Sequence, residues 1–162
     1  NKHVVMDSAG NAVERIGVVF NGSPQNFRAE LVRVHPGADL ALIHASVRRG
    51  VPTVKAIAPA SRAGVMGEPV GVLGFPLGVD IAQGQEWTKS GAAATLTLGT
   101  VSRVLPELLQ LDSYGAQGAS GSPIFDRDAN VIGVLFGGQP GSNGRIIYAV
   151  PARYVQELLS SQ

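Results

Sequence analysis

The chain has 162 residues, 44% of them apolar and 15% charged, with a formal net charge of +1. The near-neutral balance, with no basic run, excludes the electrostatic footprint of a nucleic-acid or acidic-membrane binder. The absence of cysteine excludes disulfide staples, Cys-based zinc sites and thiol catalysis, and no apolar run approaches the roughly 20 residues of a membrane span.

A chain of this length buries about 70% of its unfolded surface, so a substantial core is expected. The 21 glycines and 10 prolines suit a turn-rich β protein better than a helical bundle. Glu14 to Phe20 and Asn26 to Val34 read as two strands, since Phe27, Ala29 and Leu31 set against Arg28, Glu30 and Arg33 lie nearer period two than 3.6. Asn21-Gly22-Ser23-Pro24 supports a hairpin between them. After a turn at His35-Pro36-Gly37, Leu40 to His44 reads as a short buried strand with Asp39 at its mouth. That half-sheltered place suits a carboxylate that must stay ionised and hold one imidazole, and Pro-Gly-Ala-Asp is equally good turn chemistry. Thr53 to Ile57 reads as a further strand. Ala58 to Glu68, carrying Pro59, Gly64 and Gly67, reads as the connector between an N-terminal half, 1–63, and a C-terminal half, 64–162.

The second half opens with a strand over Val70 to Leu73 and the turn Phe75-Pro76-Leu77-Gly78. Val79 to Gly91 is a polar loop with Trp87 and Lys89, long enough for a lid or binding loop, with disorder as the alternative. Strands follow at Thr95 to Leu105 and Leu108 to Leu111. Ile124-Phe125 and Val131 to Phe136 read as a hairpin around Asp126 to Asn130, and Ile146 to Val150 as the last strand. Pro151 then opens a helix with Tyr154, Val155, Leu158 and Leu159 on one face. Short strands at this spacing favour a sandwich or barrel over βαβ units.

The chemistry centres on Gly115-Ala116-Gln117-Gly118-Ala119-Ser120-Gly121-Ser122-Pro123. A serine between small residues is open to approach, and flanking glycines allow a bend that aims successive backbone N–H groups at one point. A glycine-rich turn between two strands is the other reading. A serine hydroxyl needs a histidine to take its proton and a carboxylate to orient that histidine. The only histidines, His3, His35 and His44, all precede Ser120. The Ser, acid, His order of an α/β-hydrolase is therefore excluded, and the order His, Asp, Ser stays open through His3 and Asp39. His35 and His44 have no metal-ligand pattern around them and read as partly buried or surface histidines.

His3-Val4-Val5, Asp39-Leu40-Ala41-Leu42, Gly74-Phe75-Pro76-Leu77-Gly78, Gly99-Thr100-Val101-Ser102, Leu109-Gln110-Leu111-Asp112, Gly118-Ala119-Ser120-Gly121-Ser122-Pro123, Val131-Ile132-Gly133-Val134 and Tyr148-Ala149-Val150-Pro151 are collinear over nearly the whole chain. In order and approximate spacing they resemble the chymotrypsin-like serine proteases, most of all the bacterial HtrA/Deg branch. The resemblance implies an all-β fold of two antiparallel six-stranded Greek-key barrels with a C-terminal helix. The first barrel would lack its N-terminal strands, supplied by an upstream segment or a second copy if at all. It implies His3 as general base, Asp39 as its orienting acid, Ser120 as nucleophile and the N–H groups of Gly118 and Ser120 as oxyanion hole. A specificity pocket would be walled by Leu135, Phe136, Gly137, Gly138 and Ile146, none of them charged, taking a small or medium aliphatic residue. Peptide bonds of a polypeptide substrate would be cut through an acyl-enzyme without metal or organic cofactor. Location in the bacterial cell envelope or periplasm follows by resemblance alone, and a trypsin-fold chain that binds peptides without turnover is the alternative. Ala119 replaces an aspartate of the digestive enzymes, which implies that activation by a freshly cut N-terminus is not used.

Overall fold

The computed structural model describes residues 1–47, 50–62, 64–78 and 84–161. Residue 63, at the expected boundary between halves, and residues 79–83 of the expected polar loop lie outside the described residues. The first half opens with one helical turn, α1 (Lys2–Val5), followed by β1 (Ile16–Val19), β2 (Asn26–Val34) and β3 (Ala41–Ala45). These three strands form one antiparallel sheet in the order β1-β2-β3. The hairpin expected at Asn21-Gly22 forms, with Gly22 in the left-handed region at φ 78°.

The strand expected over residues 53–57 shrinks to β4 (Ala56–Ile57). Only these two residues find a partner strand, and they add in parallel to the edge of the second half's sheet rather than to the first. That sheet contains β5 (Pro69–Gly74), β6 (Thr95–Leu105), β7 (Leu108–Asp112), β8 (Pro123–Phe125), β9 (Asn130–Gly138) and β10 (Ile146–Pro151). Its order is β10-β7-β6-β5-β8-β9, and β10 also pairs with β9, so six strands close into a barrel. Closure removes the free edges that an open sheet would present, except at the start of β9, where Asn130 and Val131 lie beyond the β10 pairing and take up β4. Between β5 and β6 the chain makes a 3-10 turn at Gly84–Glu86 and a short helix, α2 (Trp87–Ser90).

The barrel interior is filled by residues that alternate along their strands. Val101, Leu109, Leu111, Ile124, Ile132 and Ile147 are all under 2% exposed. The closing helix, α3 (Ala152–Ser160), lies outside the barrel. Its Leu158 joins Ala38, Leu40 and Val150 in a second buried cluster, against which Leu42, Val134, Phe136, Tyr154 and Val155 pack. This cluster is the seam between the first sheet, the barrel wall and α3. Among the described residues no helix is long and apolar enough to cross a membrane.

Two connections bring the halves face to face. Residues 35–40 join β2 to β3, and the segment 113–122 joins β7 to β8, strands that are not neighbours in the barrel. The second connection therefore has to cross one end of the barrel, which brings residues of that loop to the rim facing the first sheet.

Candidate active site

Asp39 sits in the 35–40 connection between Ala38 and Leu40, both buried in the seam. Burying its two chain neighbours fixes the backbone that carries the carboxylate. His3 lies on α1, a turn anchored by the buried Val5 and by Asn1, whose Nδ2 donates to the Asp39 carbonyl oxygen at 2.9 Å. The backbone N–H of His3 donates to Asp39 Oδ1 at 2.9 Å, and His3 Nδ1 lies 2.5 Å from Asp39 Oδ2. A carboxylate can only accept, so the ring proton is assigned to Nδ1 and Nε2 is left with its lone pair. Nε2 lies 3.2 Å from Ser120 Oγ. The three side chains expected from the motif order thus meet in one hydrogen-bonded row across the cleft between the two halves.

Two opposing effects act on Asp39. Burial pushes its carboxyl up, and the hydrogen bonds from the His3 backbone and ring, with the charge of a protonated ring, more than offset this. The net result is a carboxyl below the ordinary aspartate value. The side chain of Asp39 is 26% exposed and that of His3 50%, so the row is sheltered at the acid and open at the base.

The loop bearing Ser120 is held from three sides. Ala119 N–H donates to Ala116 O at 3.0 Å and Ser122 N–H to Ala119 O at 3.1 Å, while Gly121 N–H and Ser122 O bond Leu135 of β9 at 2.8 and 2.9 Å. Leu77 N–H donates to Gln117 O at 2.6 Å. That bond turns the Gln117–Gly118 peptide so that its carbonyl faces Leu77 and its N–H faces the other way. Gly118 has φ 91°, and a Cβ there would lie 2.6 Å from Gly78 N, so neither the backbone angle nor the space admits a side chain. Among the described residues the N–H groups of Gly118 and Ser120 donate to no protein acceptor. Ser122 is buried with its Oγ against Gly74, where any side chain would collide with it.

Beside Ser120 lies a cavity of about 310 Å³ whose walls include Ala116, Leu135, Gly137, Gly138, Pro140 and Ile147. Leu135, Gly137 and Gly138 were expected there. Phe136 and Ile146 are not among the lining residues. Phe136 stacks on Tyr148 at 6.4 Å and faces, with Asp39 and Tyr154, a separate cavity of about 410 Å³. Strand alternation turns Ile147, 1% exposed, to the cavity side instead of Ile146. The buried Val150 and Ala149 farther along β10 give no parity signal, so sequence alone does not single out Ile147.

One closed six-stranded barrel, an adjoining antiparallel sheet and a terminal helix, with the cleft between the halves, define a trypsin-like fold. Residues 1–134 match the trypsin-like peptidase domain family, and the chain belongs to it. A solved structure of similar fold is that of Rv3671c from M. tuberculosis H37Rv, a serine-to-alanine mutant in an inactive form. The two agree with a TM-score of 0.62 at 22% identity, over 84% of this chain but only 65% of that one. No curated protein matches the sequence closely enough to count as a relative.

Proposed function

We propose that the chain is the proteolytic part of a serine endopeptidase of the HtrA/Deg branch, built from an N-terminal half over 1–63 and a C-terminal half over 64–162. The single observation that supports this most is the row Asp39 Oδ2, His3 Nδ1, His3 Nε2, Ser120 Oγ, with steps of 2.5 and 3.2 Å. In this reading the Ser120 Oγ–C bond forms at the scissile carbonyl as the hydroxyl proton moves to His3 Nε2. The oxyanion is received by the N–H groups of Gly118 and Ser120. His3 then hands the proton to the leaving amine as the C–N bond breaks, and water, deprotonated by the same nitrogen, releases the acyl group and restores Ser120. Asp39 keeps the ring in the Nδ1–H tautomer and stabilises the imidazolium between the two transfers.

The uncharged cavity walled by Leu135, Gly138 and Ile147 supports a small or medium aliphatic residue before the scissile bond. The reading is tested with a fluorophosphonate probe, which phosphonylates an activated serine, the Oγ–P bond forming as fluoride leaves. Stoichiometric labelling of the chain, abolished in Ser120→Ala, is the expected result. A folded chain that does not label would favour a peptide-binding module without turnover.

A further inference from the structure

His35 is the first residue after β2 and is 8% exposed. Its Nδ1 accepts hydrogen bonds from the N–H groups of Gly37 at 3.1 Å and Ala38 at 2.8 Å. Two donors on Nδ1 leave the ring proton on Nε2, which donates to Glu157 Oε2 at 3.2 Å. The ring also meets Tyr154 edge-on, with centroids 5.3 Å apart. Tyr154 and Glu157 both belong to α3. One buried imidazole therefore ties the terminal helix to the N–H groups of Gly37 and Ala38, the two residues that immediately precede Asp39.

We infer that His35 is a positioning residue for Asp39, and that α3 acts through it as part of the scaffold of the active site. Ordinary packing of a helix against a sheet would be satisfied by the apolar seam of Leu40, Val150 and Leu158. It would not require an acceptor aimed at the N–H groups of residues 37 and 38. A buried polar group at this place acts directionally. It sets the orientation of the turn, and with it the direction in which the Asp39 carboxylate meets His3. The inference rests on the proposed roles of His3, Asp39 and Ser120.

Two polar substitutions divide the ring's hydrogen bonds. In His35→Asn the side-chain oxygen occupies the place of Nδ1 and can accept from the same turn, as in an Asx turn, while the link to Glu157 is lost. In His35→Gln the amide reaches the place of Nε2 and keeps Glu157, while the turn loses its acceptor. We would measure two things in both variants and in the wild type: the rate of fluorophosphonate labelling and the far-downfield proton resonance of His3 Nδ1–H. Thermal unfolding would establish that each is folded.

Labelling of His35→Gln is expected to slow about a hundredfold, the order associated with small misplacement of a catalytic group, with the His3 resonance shifted or lost. His35→Asn is expected to recover to within about tenfold of wild type and to keep the resonance. Equal rates in the two variants, or a faster His35→Gln, would overturn the inference. So would loss of folding in either, because the ring would then hold the fold and not the carboxylate. A wild type that fails to label would sink the proposed function instead, and the resonance in the two variants would still decide whether His35 positions Asp39.

Discussion

Asp39 is the member of the site whose protonation can be followed directly. Its folded value lies below the ordinary one because the bonds from His3 outweigh burial. A carboxyl lowered in this way contributes its hydrogen bonds fully above the unfolded value of about 3.9, and loses them only as pH falls through the lower folded value. The expected outcome in a carboxyl-carbon NMR titration is an inflection of Asp39 below that of a free aspartate, and an inflection at or above it would contradict the geometry. Asp39→Asn should leave the chain folded and reduce turnover by about 10⁴, because an amide no longer selects the Nδ1–H tautomer. That His3, Asp39 and Ser120 would lie together was expected from the family resemblance, since the histidine count and chain order excluded only the Ser, acid, His arrangement and left three histidines ahead of Ser120. The turn that carries His3 was not legible, since a helix of four residues is too short to leave a periodic signal. The double tie of His35 was equally hidden, its partner Glu157 lying 122 positions away.

Among the elements, the loop 113–122 depends on one residue without a side chain. Gly118→Ala would bring a Cβ to 2.6 Å from Gly78 N at a positive φ, so the donor at 118 must move. Under the proposed function, in which that N–H receives the oxyanion, turnover is expected to fall by about 10² to 10³ while binding of a substrate-like peptide changes far less. Comparing kcat with the peptide's Kd would check the split. The β8–β9 hairpin turns on Asp126, whose carboxylate accepts from the N–H groups of Asp128 and Asn130 at 2.9 Å each and faces Arg62 at 3.2 Å. Burial pushes that carboxyl up, and these bonds, those of the Asn130 side chain among them, bring it below the ordinary value. Asp126→Ala is expected to cost about 2 kcal/mol and to lower the melting temperature by about 4 to 8 °C. Strand positions were readable where both ends were marked by turns, as for β2 and β6, whose bounds coincide with those expected from alternation. Alternation did not give the face: Leu96 and Leu98 point outward at 61% and 75% exposure. Nor could sequence give the partner of β4, because a two-residue pairing is decided by which edge is left open in the folded barrel.

At the scale of the molecule, Asp39 and His3 come from the first half and Ser120 from a loop of the barrel, so their register is set by the seam. Leu158 lies at its centre, 5% exposed, in the same cluster as Ala38 and Leu40 on either side of Asp39. Leu158→Ala is expected to cost about 2 to 5 kcal/mol in urea unfolding, and to slow probe labelling under conditions where the chain is still folded. Stability lost with labelling unchanged would mean that the seam holds the halves together without setting their register. The pairing of β4 with β9 bears on how the two halves would behave apart. Ala58, next after β4, is fully buried in the barrel core, donates from its N–H to Val131 O at 2.8 Å, and receives Gln156 Nε2 on its carbonyl at 2.7 Å. The first half is thus fastened to the second by β4 and by the first residue of the connector. A protease that cut the backbone between Pro59 and Glu68 would leave two fragments that co-migrate as one particle, so covalent continuity and physical integrity are separate properties of this chain.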